Sequence, residues 1–248
     1  MMSIHQDVSS LNKMGVDLLN AGRLMEASAT LQRALGLLQD AVGADEEPGT
    51  SNLCIPASSR TARGIGVSNT SNWNTVYQSR TVIPGLHDTR FFTYNHGILI
   101  SSSFEEDTVD NQNTNASDET FIRYSSVVLF NLALVLHHFG MVGETRFRVK
   151  ASILYTRCVQ VVSMASFAVP EDEAHSGVLA VLALNNLAQL HHEQDDYTTS
   201  SNYLNQVSDM LQSIGSLGGS RILSQSDAEE IHLNIILTQQ SPTAAKAA

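Results

Sequence analysis

Cysteine, proline, tryptophan and charge are all scarce in this chain. Its 248 residues include two cysteines, five prolines and one tryptophan, and only 16% are Asp, Glu, Lys or Arg. Two cysteines, Cys54 and Cys158, cannot make the disulfide framework of a small secreted domain, and no Cys-x-x-Cys spacing offers a zinc site. The charged fraction falls short of the roughly 25% usual in soluble domains, which argues against a coiled coil or a charged disordered tail. Fourteen Lys and Arg against 25 Asp and Glu leave a formal net charge of −11, the wrong sign for phosphate contacts, so nucleic acid is not an expected partner. Long apolar runs are missing as well. The most apolar stretch, 127–142, is interrupted by Asn131, His137 and His138. It falls short of the about 20 apolar residues of a membrane span, so it reads as a buried helix and no membrane partner is expected. The opening MMSIHQDVSS has no basic patch followed by an apolar core. The expectation is an intracellular protein, cytoplasmic or nuclear, in which the sequons at Asn69 and Asn115 are chance.

What is present is unevenly distributed. Residues 49–103 carry Arg60, Arg63, Arg80 and Arg90 against Asp88 alone, a local +3 that leaves −14 on the rest of the chain. The first part of this stretch, rich in Ser, Thr, Asn and Gly, has no helical period and reads as a loop or linker. From Thr75 the character changes. TVYQSRTVI and RFFTYNHGILI are aromatic, β-branched and partly alternating, with PGLHD between them, which predicts a β-hairpin. FEEDTVDNQNTNASDE then reads as an acidic loop.

Both flanks have a helical period. Leu11, Met14, Leu18, Leu24, Leu31, Leu35 and Leu38 set it in the first flank, with a break near Gly22. After Thr120 helices are expected at about 121–139, 146–166, 175–193, 197–214 and 226–239. The last would open with a capping box on Ser226 and Glu229, and its Ile231, Ile235 and Ile236 would cover the end of a helical stack.

Small or turn-forming residues recur within these flanks. Gly15, Gly22, Ala27 and Ala34 are spaced 7, 5 and 7; Ala188, Asp195, Ser200 and Val207 repeat that spacing. Ala133, Gly140, Ala151 and Cys158 give 7, 11 and 7, as though six residues had entered the turn. A small residue in each of two antiparallel helices lets them approach closely, with larger residues such as Leu11, Leu129 and Leu184 filling the flanks. One such pair cannot bury both of its faces, so pairs stack.

NKMGVDLLNAGRLMEASATLQRALGLL, FNLALVLHHFG with KASILYTRC, and LNNLAQLHHEQDDYTTSSNYLNQV resemble the tetratricopeptide-repeat (TPR) superfamily, with Tyr197 at the customary aromatic place. The matches cover under half of the chain. They depart from the family at Asp195, which stands for the turn glycine, and at Ser200 and Val207, which stand for alanines. No proline ends the second helices, and the repeats are not in tandem. The expected architecture is one mainly α, TPR-like domain over 1–248: a first helix pair at 5–42, an insertion at 43–120 with a loop and the hairpin, second and third pairs at 121–214, and a capping helix at 226–239.

The resemblance implies a concave groove lined by the first helix of each repeat. Its matching stripe is Asn12, Val16 and Leu19; Phe130, Leu134 and His137; Asn185, Gln189 and His192, each set spaced i, i+4, i+7. That mix suits a protein or peptide partner bound through its backbone with apolar pockets beside it. It lacks the basic residues of the chaperone-binding members. The hairpin or the C-terminal helix filling the groove instead would leave a structural scaffold.

The chemistry-bearing residues compete with this reading and fall short of it. His137–His138 and His191–His192 offer four imidazoles for a metal, and a metal-binding protein or enzyme built on them is the alternative. Adjacent helical residues point about 100° apart, however, whereas helical metal pairs favour i,i+3 or i,i+4. Cys158 sits at a packing position, and nothing activates Cys54. No Gly-x-Ser-x-Gly, His-Glu-x-x-His, Walker loop or dinucleotide fingerprint occurs. Arg146, Arg148 and Lys150, placed in the second repeat's turn, suit an anion or a solvated surface, and Trp73 an anchor or loop packing. No catalytic residue, metal or cofactor is expected. The sequence reading is a non-catalytic adaptor or assembly scaffold.

Overall fold

The computed structural model describes residues 4–43, 93–100, 114–164, 170–216 and 223–240. Among them are seven helices and no strand: α1 Ile4–Asn20, α2 Leu24–Gly43, α3 Thr114–Met141, α4 Thr145–Ser163, α5 Pro170–His192, α6 Tyr197–Ser216 and α7 Gln225–Gln240. They form three antiparallel pairs, α1/α2, α3/α4 and α5/α6. The pairs join through α2 on α3 and α4 on α5, and α7 packs on α6. This repeat-like order brings α1, α3 and α5 side by side on one face.

The small residues sit where each pair closes. Ala27, Ala34, Ala133, Ala151, Cys158, Ala188, Ser200 and Val207 have no exposure at all. At Gly15 a Cβ would stand 2.6 Å from Leu31 Cγ, and Leu31 is itself fully buried. Gly15→Ala is therefore expected to destabilise by about 1–2 kcal/mol, overpacking outweighing the about 1 kcal/mol that alanine gains over glycine in a helix. Urea unfolding checks the sign, and Leu31→Val should recover most of the loss. A stabilised Gly15→Ala would mean that helix contact does not set this position.

The turns repeat as well. After α1, Gly22 takes φ +72° and Arg23 N–H donates to Leu18 C=O at 2.9 Å. After α5, Asp195 takes φ +60° and Asp196 N–H donates to His191 C=O at 2.9 Å. Both are six-to-one helix endings that need a left-handed residue, and Asp is among the few side chains that tolerate it. Asp196 also accepts the Thr199 N–H at 3.1 Å, capping α6.

In the second pair the six extra residues do not lengthen the turn, which is Val142–Glu144 with Gly143 at φ +119°. They extend the helices, three at the end of α3 and three at the start of α4. Gly140, expected at the turn, is helical and lies against Arg148, whose side chain donates to its carbonyl at 2.9 Å. Arg146, Arg148 and Lys150 accordingly stand on the first turns of α4 rather than in a loop.

Three further expectations are corrected. Helix α3 begins at Thr114, inside the stretch read as an acidic loop, and α5 begins at Pro170 rather than His175. The cap of α7 lies two residues earlier than expected. Ser224 Oγ accepts the Asp227 N–H at 3.1 Å and donates to the Asp227 carboxylate at 2.6 Å, while Glu229 accepts from Gln225. The first hairpin strand, the turn after it, Cys54 and Trp73 fall outside the described residues.

Helix α3 is long and apolar enough over Thr120–Met141 to cross a membrane, by length and composition alone. In the fold it is a core helix. All of 124–138 is buried, because α4, α2, α1 and α5 surround it. Its counterpart at the far end is α7, which buries Ile231 and Ile235 and leaves Ile236 half-exposed.

Candidate functional site: an extended segment held by asparagines

Residues 93–100, Thr-Tyr-Asn-His-Gly-Ile-Leu-Ile, are extended and lie across the face made by α1, α3 and α5. They belong to the second predicted hairpin strand. An extended segment buried in a helical protein faces a bonding problem, since its N–H and C=O groups need partners. Asparagine side chains supply them.

Two contacts have the same form. Asn131 on α3 accepts the Ile98 N–H at 2.8 Å and donates to the Ile98 C=O at 2.8 Å. Asn186 on α5 accepts the Tyr94 N–H at 2.9 Å and donates to the Tyr94 C=O at 2.9 Å. The side-chain amide is a peptide group on a short stalk, so it pairs with both polar groups of one residue as a neighbouring strand would. Tyr94 and Ile98 are four residues apart, one clamped from α5 and the other from α3. Helix α1 adds Asn12, which donates to Ile98 C=O at 2.9 Å, and Ser9, which donates to Ile100 C=O at 3.1 Å.

These clamps are themselves held. Asn131 gives its second N–H to Asn12 Oδ1 at 2.8 Å. Asn186 gives its second to the Tyr155 hydroxyl at 3.0 Å, and Asn234 of α7 donates to Asn185 Oδ1 at 2.8 Å. Asn12, Asn131, Asn185, Asn186 and Asn234 are all fully buried. Side-chain contacts complete the seat. The Tyr94 ring lies 6.0 Å from Phe130, which lies 5.7 Å from Tyr155. At Gly97 an added Cβ would stand 2.7 Å from Val16.

Of the nine predicted groove residues, Asn12 meets the segment through Ile98, Val16 at Gly97 and Phe130 through Tyr94. Leu19 and Leu134 are core residues. His137 stands behind Tyr155, Asn185 is engaged by α7, and Gln189 donates to Glu193 at 3.0 Å. His192 is half-buried, its ring edge-on to Tyr197. The principal clamps, Asn131 and Asn186, lie one residue beyond the predicted Phe130 and Asn185. Their signal was the triplet Asn-Leu-Ala at 131–133 and 186–188, in the same register in both repeats.

The histidines do not converge. Among the described residues no three His, Cys, Asp or Glu come together to hold a metal. Burial, with His138 and Arg148 adding to it, pushes the His137 imidazole down to about 3, and burial takes His138 to about 4, so both are neutral at pH 7. His191 Nδ1 lies 3.0 Å from the Asp196 carboxylate, at the turn.

Burial pushes the Cys158 thiol well above its ordinary range, and its sulfur donates to Ser126 C=O at 3.3 Å. A thiol kept protonated in this way is a poor nucleophile. In the basic cluster Arg146 pairs with Glu144 and Arg148 with Glu193, while Arg146 and Lys150 lie over the Phe147 ring. Burial raises the Glu193 carboxyl, with Arg148 and Gln189 acting against that shift. Comparisons of the chain with protein-family models, with curated proteins and with solved structures return no match.

Proposed function

We propose that the chain is a non-catalytic protein-interaction module, an adaptor or assembly scaffold of TPR-like repeats, whose face on α1, α3 and α5 takes an extended peptide. One observation carries the reading: Asn131 and Asn186 each pair with both backbone groups of one residue in an extended segment. Recognition through the backbone is how a helical surface holds a peptide without a neighbouring strand. The same face combines these amides with apolar seats for side chains, the division of labour found in peptide grooves. In the isolated chain the peptide is its own segment 93–100, and an incoming partner takes its place.

The test is a random peptide library displayed on phage and panned against the intact chain. Peptides should be selected whose capture is abolished by excess soluble RFFTYNHGILIS, the sequence of residues 90–101. In a chain whose own segment carries Gly97→Val, which sets the internal copy against Val16, Asn131→Ala should weaken the same capture at least about 10-fold, a loss of about 1.4 kcal/mol. A library that yields nothing, or peptides indifferent to the competitor, would sink the proposal.

A further inference from the structure

Backbone clamps are indifferent to sequence, so any selectivity must come from the side chains seated between them. Tyr94 and Ile98, the two clamped residues, have 0% and 1% of their surface exposed. Tyr94 enters the ring contacts with Phe130, while Ile98 is part of the main core cluster. Gly97 passes so close to Val16 that its Cβ position is already occupied, with 2.7 and 2.8 Å to the two methyl groups, and Val16 is fully buried. Asn95, His96, Leu99 and Ile100 are only half-buried.

From these seats we infer that the face selects partners carrying an aromatic residue, two half-buried residues, a glycine and a branched aliphatic residue, aromatic-x-x-Gly-aliphatic. Segment 93–100 is the chain's own copy of that motif and blocks the face until a partner displaces it. The inference rests on the proposed reading of α1, α3 and α5 as a peptide-binding face. The glycine is its most selective element, because even a methyl group there would stand 2.7 and 2.8 Å from the methyls of the fully buried Val16. Attachment at both ends favours the internal copy. A tethered segment competes at an effective concentration on the order of 1 mM, so the intact chain binds a short free peptide weakly.

The experiment measures binding of fluorescently labelled RFFTYNHGILIS to the full chain and to its Gly97→Val variant, which penalises the internal copy and leaves the helical face unaltered. The variant should bind at least about 10-fold more tightly than the parent. Within the peptide, Tyr94→Ala, Gly97→Ala or Ile98→Ser should each weaken binding at least about 10-fold, and Asn95→Ala less than about 3-fold. Equal binding of all these peptides would overturn the motif and leave the peptide-binding face standing. Failure of this peptide and of every library-selected peptide to bind either chain would overturn both. A concentration-dependent dimer abolished by Tyr94→Ser would make a second copy the occupant and overturn the partner motif.

Should Gly97→Val not fold, the unmodified chain gives the answer. Millimolar peptide should accelerate amide hydrogen exchange at Tyr94 and Ile98, and unchanged exchange there would overturn the inference.

Discussion

Asn186→Ala is expected to destabilise the protein by about 3–5 kcal/mol, a large part of the total stability of an ordinary domain. The side chain takes three bonds with it. Tyr94 loses those to its N–H and its C=O, and the Tyr155 hydroxyl loses the donor at 3.0 Å while keeping His137 Nδ1 at 3.5 Å. Removing the partner of a buried polar group costs about 1–3 kcal/mol where the group is left unsatisfied, and the three bonds share one site, so their costs do not simply add. Asn186→Asp is no rescue. It keeps an acceptor for the Tyr94 N–H but sets a second oxygen against the Tyr94 carbonyl, in a place where a charge would be buried. Asn234→Ala is the milder contrast: it removes the bond that Asn234 donates to Asn185 Oδ1 and should cost about 1–2 kcal/mol. Urea midpoints at constant slope measure both. Amide exchange adds a local reading: Tyr94 and Ile98 should be protected although they lie in no helix, and Tyr94 should lose that protection first. A cost below about 1 kcal/mol for Asn186→Ala would mean that the side chain does not hold the segment.

The contrast between Asn185 and Asn186 also marks how far a sequence can be read. A 3.6-residue period assigns a face, and small residues spaced 7, 5 and 7 assign a close approach, so the helix pairs were legible from Gly15, Ala27, Ala133 and Ala188. The six extra residues of the second pair were visible as a number but not as a place. Adding residues to a turn and extending both helices across it give the same spacing. The groove stripe passed beside Asn131 and Asn186 for a related reason. Positions i, i+4 and i+7 trace one narrow line, and Asn131 and Asn186 stand about 100° round the helix from its members Phe130 and Asn185. Segment 93–100 read as extended from its aromatic and β-branched residues, but its bonding partners are 33 and 92 residues away. Local pattern predicts a conformation. It carries no information about which distant amides will satisfy it, except through a shared register such as the two Asn-Leu-Ala triplets.

Below pH 6.5 the protein is expected to lose stability at up to about 2.7 kcal/mol per pH unit, because two histidines are held neutral inside it. His137 is lowered to about 3 by burial, His138 and Arg148, and His138 to about 4 by burial. In the unfolded chain both titrate near 6.5. As the pH falls through 6.5 the unfolded state takes up protons that the folded state refuses. The stabilisation is therefore complete above about 6.5 and drains away toward 4 and 3, at about 1.4 kcal/mol per unit for each ring. By pH 4.5 the two together remove about 5 kcal/mol, enough to unfold many domains. His5 and His192, also lowered by burial, act in the same direction, whereas the raised carboxyl of Glu193 acts against it. Measuring the unfolding free energy between pH 7.5 and 4.5 gives the number of protons taken up. His138→Leu should reduce that number by about one over this range, whatever it does to stability at neutral pH. An unchanged slope in His138→Leu would show that this ring already protonates in the folded protein, which its 4% exposure argues against.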